Sequence, residues 1–196
     1  MLTLYTNPRS RGRIAQWMLE EIGAPYTAEI VEYGPPMRSA EFLALNPMGK
    51  VPVLVHDGAV VTECAAICAY MAEAFPEAGL APRPNERADY YRWLFFAAGP
   101  LEAAVTAHAM GLEAPADKRR MAGYGDFATT IAALETKLAG SDYVAGGRFT
   151  AADVYLGAQV AWGLIFNSIP ESPALAAYRD RIAQRPAFQR TLGQAR

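Results

Sequence analysis

Val51-Pro52-Val53-Leu54-Val55-His56-Asp57-Gly58-Ala59-Val60-Val61-Thr62 is the stretch that decides the fold. Two β-branched runs flank Asp57-Gly58, and Asp-Gly supplies the positive-φ turn that a tight hairpin needs. The run Cys64–Phe75 that follows is apolar almost throughout and too long for a strand, so it reads as a helix. Working back from the hairpin, Asn46-Pro47 closes a short helical stretch, Ser39–Leu45, and Pro25 precedes an alternating run, Tyr26–Val31, that suits a strand. At the start, Leu2–Thr6 reads as a strand stopped by Asn7-Pro8. Ile14, Trp17, Met18 and Ile22 then share one helical face that ends at Gly23. The order is β-α-β-α-β-β-α.

Working forward, Pro76-Glu-Ala-Gly-Leu-Ala-Pro-Arg-Pro-Asn85 combines three prolines and a glycine, the composition of a linker. Beyond it Glu86–Met110, Asp117–Leu138, Thr150–Phe166 and Pro173–Leu192 have helical period. The reading is therefore a first α/β domain over 1–76, a linker over 77–85 and an all-α domain over 86–196. Phe149-Thr150-Ala151-Ala152-Asp153-Val154 carries the strongest local start signal, with Thr150 as cap, Asp153 as its reciprocal partner and Phe149 placed to staple Val154.

Composition narrows the function. The 196 residues are 52% hydrophobic, 11% aromatic and 19% charged, which describes a globular chain rather than a disordered one. Lys and Arg number 18 against 20 Asp and Glu, a net charge of −2, so no positive field draws a phosphate backbone or an anionic lipid surface. The apolar runs fall short of the ~18 residues a membrane span needs, and the opening residues reach Pro8 and three arginines before any apolar run, so no leader is expected. Two cysteines, Cys64 and Cys68, are too few for a disulfide framework and fit a reducing cytoplasm. His56 and His108 lie far from them in sequence, which argues against a metal site.

Four motifs in order, Leu4-Tyr5-Thr6-Asn7-Pro8-Arg9-Ser10, Asn46-Pro47-Met48-Gly49-Lys50-Val51-Pro52-Val53-Leu54, Thr62-Glu63-Cys64 and Phe149–Asp153, resemble the cytosolic glutathione transferase family over the whole chain. The likeness is to bacterial-type, serine-dependent members. It implies a thioredoxin-like first domain, glutathione as co-substrate with no resident cofactor, and a homodimer.

The resemblance also assigns residues. Ser10 becomes the catalytic hydroxyl that donates to the glutathione sulfur, although a serine opening a helix also reads as a plain N-cap. Tyr5 is the alternative, since other classes use a tyrosine near this turn, and Arg11 is the helper among Arg9, Arg11 and Arg13. A cis Val51-Pro52 bond, available to an X-Pro pair at modest cost, turns the Val51 backbone outward to pair with the cysteinyl part of glutathione, as in strand addition. Glu63 and Cys64, where free N–H groups at a helix start offer an anion site for a carboxylate, hold the γ-glutamyl group. The family has Ser or Thr where Cys64 stands, and a thiol is the poorer donor. A helix N-terminus lowers a thiol pKa, which makes Cys64 a second candidate for a mixed disulfide with glutathione. Lys50 and Arg38 are candidates for the glycyl carboxylate. His108, Trp162 and Phe166 are the second-substrate candidates, drawn with Phe95, Phe96 and Met110 from residues that equally suit a core or, for His108, a helix surface.

The activity expected is conjugation of the glutathione thiolate to apolar electrophiles. A glutathione-dependent peroxidase or disulfide reductase would use the same pocket, and a non-catalytic regulatory relative would keep the fold. No cysteine precedes residue 64, which excludes a nucleophilic cysteine at the first helix.

Overall fold

Strand β1 (Leu2–Thr6) lies inside a four-stranded sheet of order β2-β1-β3-β4. It pairs in parallel with β2 (Thr27–Ile30) on one edge and antiparallel with β3 (Val53–His56) on the other, and β3 turns through Asp57-Gly58 into β4 (Ala59–Val61). The computed structural model of the protein describes residues 1–194. Helix α1 (Gly12–Ile22) is the crossover between the parallel strands, and it packs against α3 (Cys64–Ala74). Of its expected face Ile14, Trp17 and Met18 are fully enclosed and Ile22 is half-buried, while Leu19 is fully enclosed as well, each enclosed side chain stabilising the fold by about 1.5–3 kcal/mol. Elsewhere in the sheet Met37, Phe42 and Val53 form a small core with Tyr5, Val31, Leu45 and Val51, where helix α2 (Ala40–Leu45) packs. The element order read from the sequence is the one observed.

The chain divides into two compact units, Met1–Ala81 with the segment from Arg185 onward, and Pro82–Gln184. The final segment, read from sequence as the end of the helical domain, groups instead with the first unit. The expected helix Pro173–Leu192 is two helices, α8 (Pro173–Ala183) and α9 (Pro186–Arg190), because Pro186 has no N–H to continue the ladder. Helix α9 then lies on α1. Phe188 meets Trp17 edge-on at 5.0 Å, and Arg185 forms a bidentate pair with Glu21 at 2.8 and 2.7 Å. Glu21 also accepts from Trp17 Nε1 at 2.8 Å. Arg190 pairs with Glu20, and Arg13 donates to the Thr191 carbonyl.

In the second unit, α4 (Arg87–Phe96) runs through a π-helical turn, Ala97–Leu101, into α5 (Glu102–Met110). Pro100 sits in that wider turn, which accommodates a residue unable to donate. The expected helix Asp117–Leu138 is also interrupted. A 3₁₀ turn over Ala116–Met121 ends before Gly123 and Gly125, and α6 (Phe127–Ala139) begins at a new cap, Asp126, whose carboxylate accepts from the Thr129 N–H at 2.7 Å. Helix α7 (Ala151–Ile165) is buried on nearly every side and opens on the Thr150–Asp153 capping box. Asp153 is fully buried and accepts from Val144 N, Thr150 N, Thr150 Oγ1 and Tyr178 Oη. Burial pushes its carboxyl up to about 6 while those four donors pull the other way. No helix among the described residues is long and apolar enough to cross a membrane.

Glu86 ties the start of α4 to the loop before α7. Its side chain is 8% exposed and meets Arg148, 23% exposed, at 2.6 and 3.1 Å, and it also accepts from Arg83 N at 2.8 Å. Breaking a pair this enclosed costs on the order of 2 kcal/mol, less than a fully buried pair because Arg148 reaches water. Glu86→Gln is expected to lower unfolding free energy in urea by about that amount at neutral pH. Arg148, opposing the cost of burial, holds the Glu86 carboxyl below its ordinary 4.5. A depressed carboxylate stabilises the fold above its unfolded value and loses that contribution as pH falls. The gap between variant and wild type should therefore narrow on acidification below pH 4.5. A gap that widens there contradicts the assignment.

Candidate functional site

The sheet brings three loops to one end. β1 and β2 run parallel, so their C-terminal ends lie side by side, and β3 is antiparallel to β1 with Val53 opposite Tyr5, which places the start of β3 there too. The loop leaving β1 carries Ser10 and the loop entering β3 carries Lys50, Val51 and Pro52. The start of α3 joins them, since the Cys64 thiol donates to the Arg11 carbonyl at 3.4 Å. This is the end of an α/β sheet at which ligands bind.

The first loop is built on Asn7, which is 1% exposed. Its Oδ1 accepts from Arg9 N at 3.0 Å, and its Nδ2 donates to the Val31 carbonyl beyond β2 at 3.1 Å. Its own carbonyl accepts from Ser10 N at 3.0 Å and from the Ser10 hydroxyl at 2.7 Å. Ser10 Oγ in turn accepts from Gly12 N at 3.0 Å. Ser10 therefore does cap-like work, although α1 begins at Gly12 and the residue in the cap position is Arg11. Gly12 is required by close packing, because a Cβ there would run into the Thr6 side chain and stand 2.9 Å from Ser10 Oγ.

The second loop repeats this construction. Asn46, 4% exposed, accepts on Oδ1 from Met48 N at 3.0 Å and donates from Nδ2 to the Lys50 carbonyl at 2.8 Å, while its carbonyl accepts from Gly49 N at 2.8 Å. Gly49 adopts φ 61°, and a Cβ there would stand 2.7 Å from the Met37 carbonyl oxygen. The Val51-Pro52 bond is cis, with Pro52 buried, Val51 half-buried and Lys50 exposed. Arg38 is exposed and reaches the Met48 carbonyl at 3.5 Å. The sequence reading took Asn7 and Asn46 only as stops. The signal that marks them is the repeated Asn-Pro dipeptide.

At the third element, Glu63 is exposed and takes φ 64°, a conformation that a non-glycine residue adopts at a cost of about 1–3 kcal/mol. Cys64 is 7% exposed and Cys68 fully buried. The Cys64 side chain beside it, together with burial, holds the Cys68 thiol well above its ordinary 9.0. With its thiol proton on the Arg11 carbonyl, Cys64 joins α3 to the first loop, which is a different position from the accessible thiol that a mixed disulfide requires.

Of the remaining first-unit candidates, Tyr5 packs its ring against Phe42 at 6.3 Å in the α2-side core. Arg9 lies over Tyr33 at 5.9 Å, Arg13 is tied to Thr191, and Arg11 is exposed in the cap position of α1.

In the second unit His108 makes a close contact with Glu113 and stacks on Phe127, centroids 4.1 Å apart and planes 9° from parallel. It borders a cleft of about 370 Å³ with Phe127, Asn167, Ser168, Ile169, Pro170 and Glu171. Phe166, adjacent to that segment, is 68% exposed and Trp162 half-buried. Phe95 at 68% and Met110 at 64% are exposed as well, so hydrophobicity misassigns these positions to the core. No group of three His, Cys, Asp or Glu among the described residues could hold a metal.

Comparison with known proteins agrees with this architecture. The N-terminal domain of glutathione S-transferase matches residues 11–74 and the C-terminal domain of glutathione S-transferase matches residues 111–186. Glutathione S-transferase GST-4.5 of Xanthomonas campestris is 31% identical over 173 residues, 82% of each chain. The structure of a sphingomonad glutathione S-transferase complexed with glutathione is 32% identical, with TM-score 0.77 over 98% of this chain and 100% of that one. A theta class enzyme of Xanthomonas axonopodis pv. citri with glutathione bound is 29% identical, with TM-score 0.79 over 99% and 98%. The chain belongs to the glutathione S-transferase family, and its activity is glutathione transfer.

The close approach at Gly12 yields a test of the first loop. Gly12→Ala should lower stability by about 1–3 kcal/mol through overpacking against Thr6, read as a lower melting temperature, and should weaken glutathione binding by displacing Ser10. Wild-type stability and affinity in the variant would show that the turn tolerates what the packing forbids.

Proposed function

We propose that this glutathione transferase binds glutathione along the first unit, stabilises its thiolate with Ser10 and adds the sulfur to apolar electrophiles, working as a cytoplasmic homodimer. The observation that carries the reading is the hydrogen-bond state of Ser10. Its oxygen is held by Gly12 N, and its proton rests on a carbonyl that Ser10 N also satisfies. The hydroxyl can therefore turn its proton to an incoming sulfur without leaving the Asn7 carbonyl unpaired. A neutral hydrogen bond contributes about 1 kcal/mol and a charge-assisted one about 1.5–3 kcal/mol, so the thiolate is the preferred acceptor.

The magnitudes fit the task. A thiol of ordinary pKa ~8.5 is about 3% ionised at neutral pH, and lowering that value to ~6.5 takes about 2.7 kcal/mol. The Ser10 hydroxyl supplies most of this, and the N-terminal end of α1 adds about 0.3–1 kcal/mol for an anion beside it. Arg11, exposed in the cap position of α1, is the proposed helper. The Val51 backbone takes the cysteinyl part, with Pro52 setting its direction. Glu63, exposed in the cap position of α3, and the Cys64 N–H take the γ-glutamyl end. Lys50, with Arg38, takes the glycyl carboxylate. Tyr5 serves packing, given its place against Phe42. A thiol-disulfide reaction on the protein's own sulfur is disfavoured, both cysteines being buried; a peroxidase or disulfide reductase working through bound glutathione would use the same pocket.

Activation raises the reactive fraction only about 25-fold, so the rest of the rate comes from holding sulfur and electrophile in attack geometry, which is worth ~7 kcal/mol or more. His108, Trp162 and Phe166 are the second-unit residues proposed to meet the electrophile. The test is the thiolate absorbance of the bound tripeptide across pH. Ser10→Ala is expected to raise the apparent thiol pKa by about 1–2 units at saturating glutathione, and to lower kcat with an aryl halide at neutral pH in proportion. Unchanged thiolate in the variant rules Ser10 out and returns the role to Tyr5.

A further inference from the structure

The two loops that meet at the sheet's end rest on the same device. Each begins with a nearly buried asparagine followed by proline. In each, the asparagine Oδ1 accepts the N–H two residues on and its carbonyl accepts the N–H three residues on. In each, Nδ2 reaches a distant or downstream carbonyl, Val31 for Asn7 and Lys50 for Asn46. An asparagine side chain closing its own turn in this way removes the backbone freedom of three residues at once. What the two turns present differs. The Asn7 turn delivers the Ser10 hydroxyl, and the Asn7 carbonyl is the acceptor on which that proton rests at 2.7 Å. The Asn46 turn fixes the carbonyl of Lys50, the residue immediately before Val51, and so sets the direction in which Lys50 and the Val51 backbone leave the loop.

We propose that Asn7 and Asn46 are the positioning residues of the glutathione site and that they divide it, Asn7 governing ionisation of the sulfur and Asn46 governing the grip on the peptide. Neither side chain touches the tripeptide in this assignment. Asn7 acts through Ser10, and Asn46 acts through Lys50 and Val51. The Asn7 half rests on the role proposed for Ser10. The Asn46 half rests only on glutathione lying along the Val51 backbone. Loss of Nδ2 at position 7 frees the turn from Val31, so Ser10 Oγ spreads over several positions and its bond to the sulfur is made for a fraction of the time. Loss of Nδ2 at position 46 frees the Lys50 carbonyl, and the backbone that must pair with glutathione becomes mobile while Ser10 stays in place.

The experiment measures two quantities on the full chain, the apparent thiol pKa of bound glutathione by ultraviolet difference titration and the glutathione Kd by calorimetry. The variants are Asn7→Ala, Asn46→Ala, Ser10→Ala and the Asn7→Ala/Ser10→Ala pair. Asn7→Ala is expected to raise the thiol pKa by about one unit, a roughly tenfold loss of thiolate near neutral pH, and to add nothing further in the Ser10→Ala background. Asn46→Ala is expected to weaken Kd about tenfold and leave the thiol pKa at its wild-type value. If either alanine variant fails to fold, the aspartate variant at that position, which keeps the Oδ1 acceptor and loses the Nδ2 donor, should show a shift in the same quantity. The proposal is overturned if Asn7→Ala leaves the pKa unmoved while Ser10→Ala moves it, if the two shifts add, or if both asparagine variants change pKa and Kd together as general loosening would. If Ser10→Ala itself leaves the pKa unmoved, the Ser10 reading fails and takes the Asn7 half with it, while the Asn46 half stands or falls on Kd alone.

Discussion

Strand β1 is paired along both edges, and that constraint fixes the place of the site. A strand with β2 on one side and β3 on the other has no freedom to slide, because a one-residue slip would exchange the face that buries Leu2 and Leu4 with the face that carries Thr3 and Tyr5. The chain must leave β1 at Thr6, at the end where β3 begins, and whatever the first turn carries is delivered beside whatever precedes β3. Parallel pairing with β2 adds the Val31 carbonyl at the same end, the anchor for Asn7. The adjacency of Ser10 to the Val51-Pro52 loop is thus a property of strand order before it is a property of either loop.

Helix α1 is the second element that this arrangement needs, since it begins at Gly12, whose N–H is held by Ser10 Oγ. It is enclosed by α3 on one side and by the end of the chain on another, with Trp17 placed between Glu21 and Phe188. The Glu21–Arg185 pair spans 164 positions in sequence, and its 2.7 Å contact is close to the 2.6 Å of the Glu86–Arg148 pair that holds α4. Long-range pairs of this kind contribute through burial. Glu21 is 6% exposed, and a carboxylate so enclosed is tolerable only with the donors it has. Within the first unit, Glu21 is enclosed with its donors, whereas Glu63, Lys50 and Arg38 stay in contact with water.

Much of this was legible in the sequence because the signals were local. Asp57-Gly58 marked the hairpin, the spacing of Ile14, Trp17 and Met18 marked the buried face of α1, and Thr150 with Asp153 marked the start of α7. What failed was of two kinds. Breaks within long periodic stretches were passed over, though Gly123, Gly125 and Asp126 stood before α6 and Pro186 before α9, because periodicity outweighed punctuation. Contacts between distant residues carried no signal at all. Nothing in the sequence ties Asn7 to Val31 or Arg185 to Glu21, and hydrophobicity alone could not show that Phe95, Met110 and Phe166 face water. The positions of Ser10, Glu63 and Val51 came from resemblance, whereas the means by which they are held required coordinates.

The central claim is that binding ionises the sulfur, and its most direct test is to count protons. Calorimetric titration of the wild-type protein with glutathione at pH ~7, repeated in buffers of different ionisation enthalpy, gives the number released per molecule bound. A thiol taken from pKa ~8.5 to ~6.5 passes from about 3% to about three-quarters ionised at that pH, so the account predicts release of about 0.7 proton. Binding with no net proton release would mean that glutathione is held as the thiol, and the account of Ser10 and its supporting turn would be wrong.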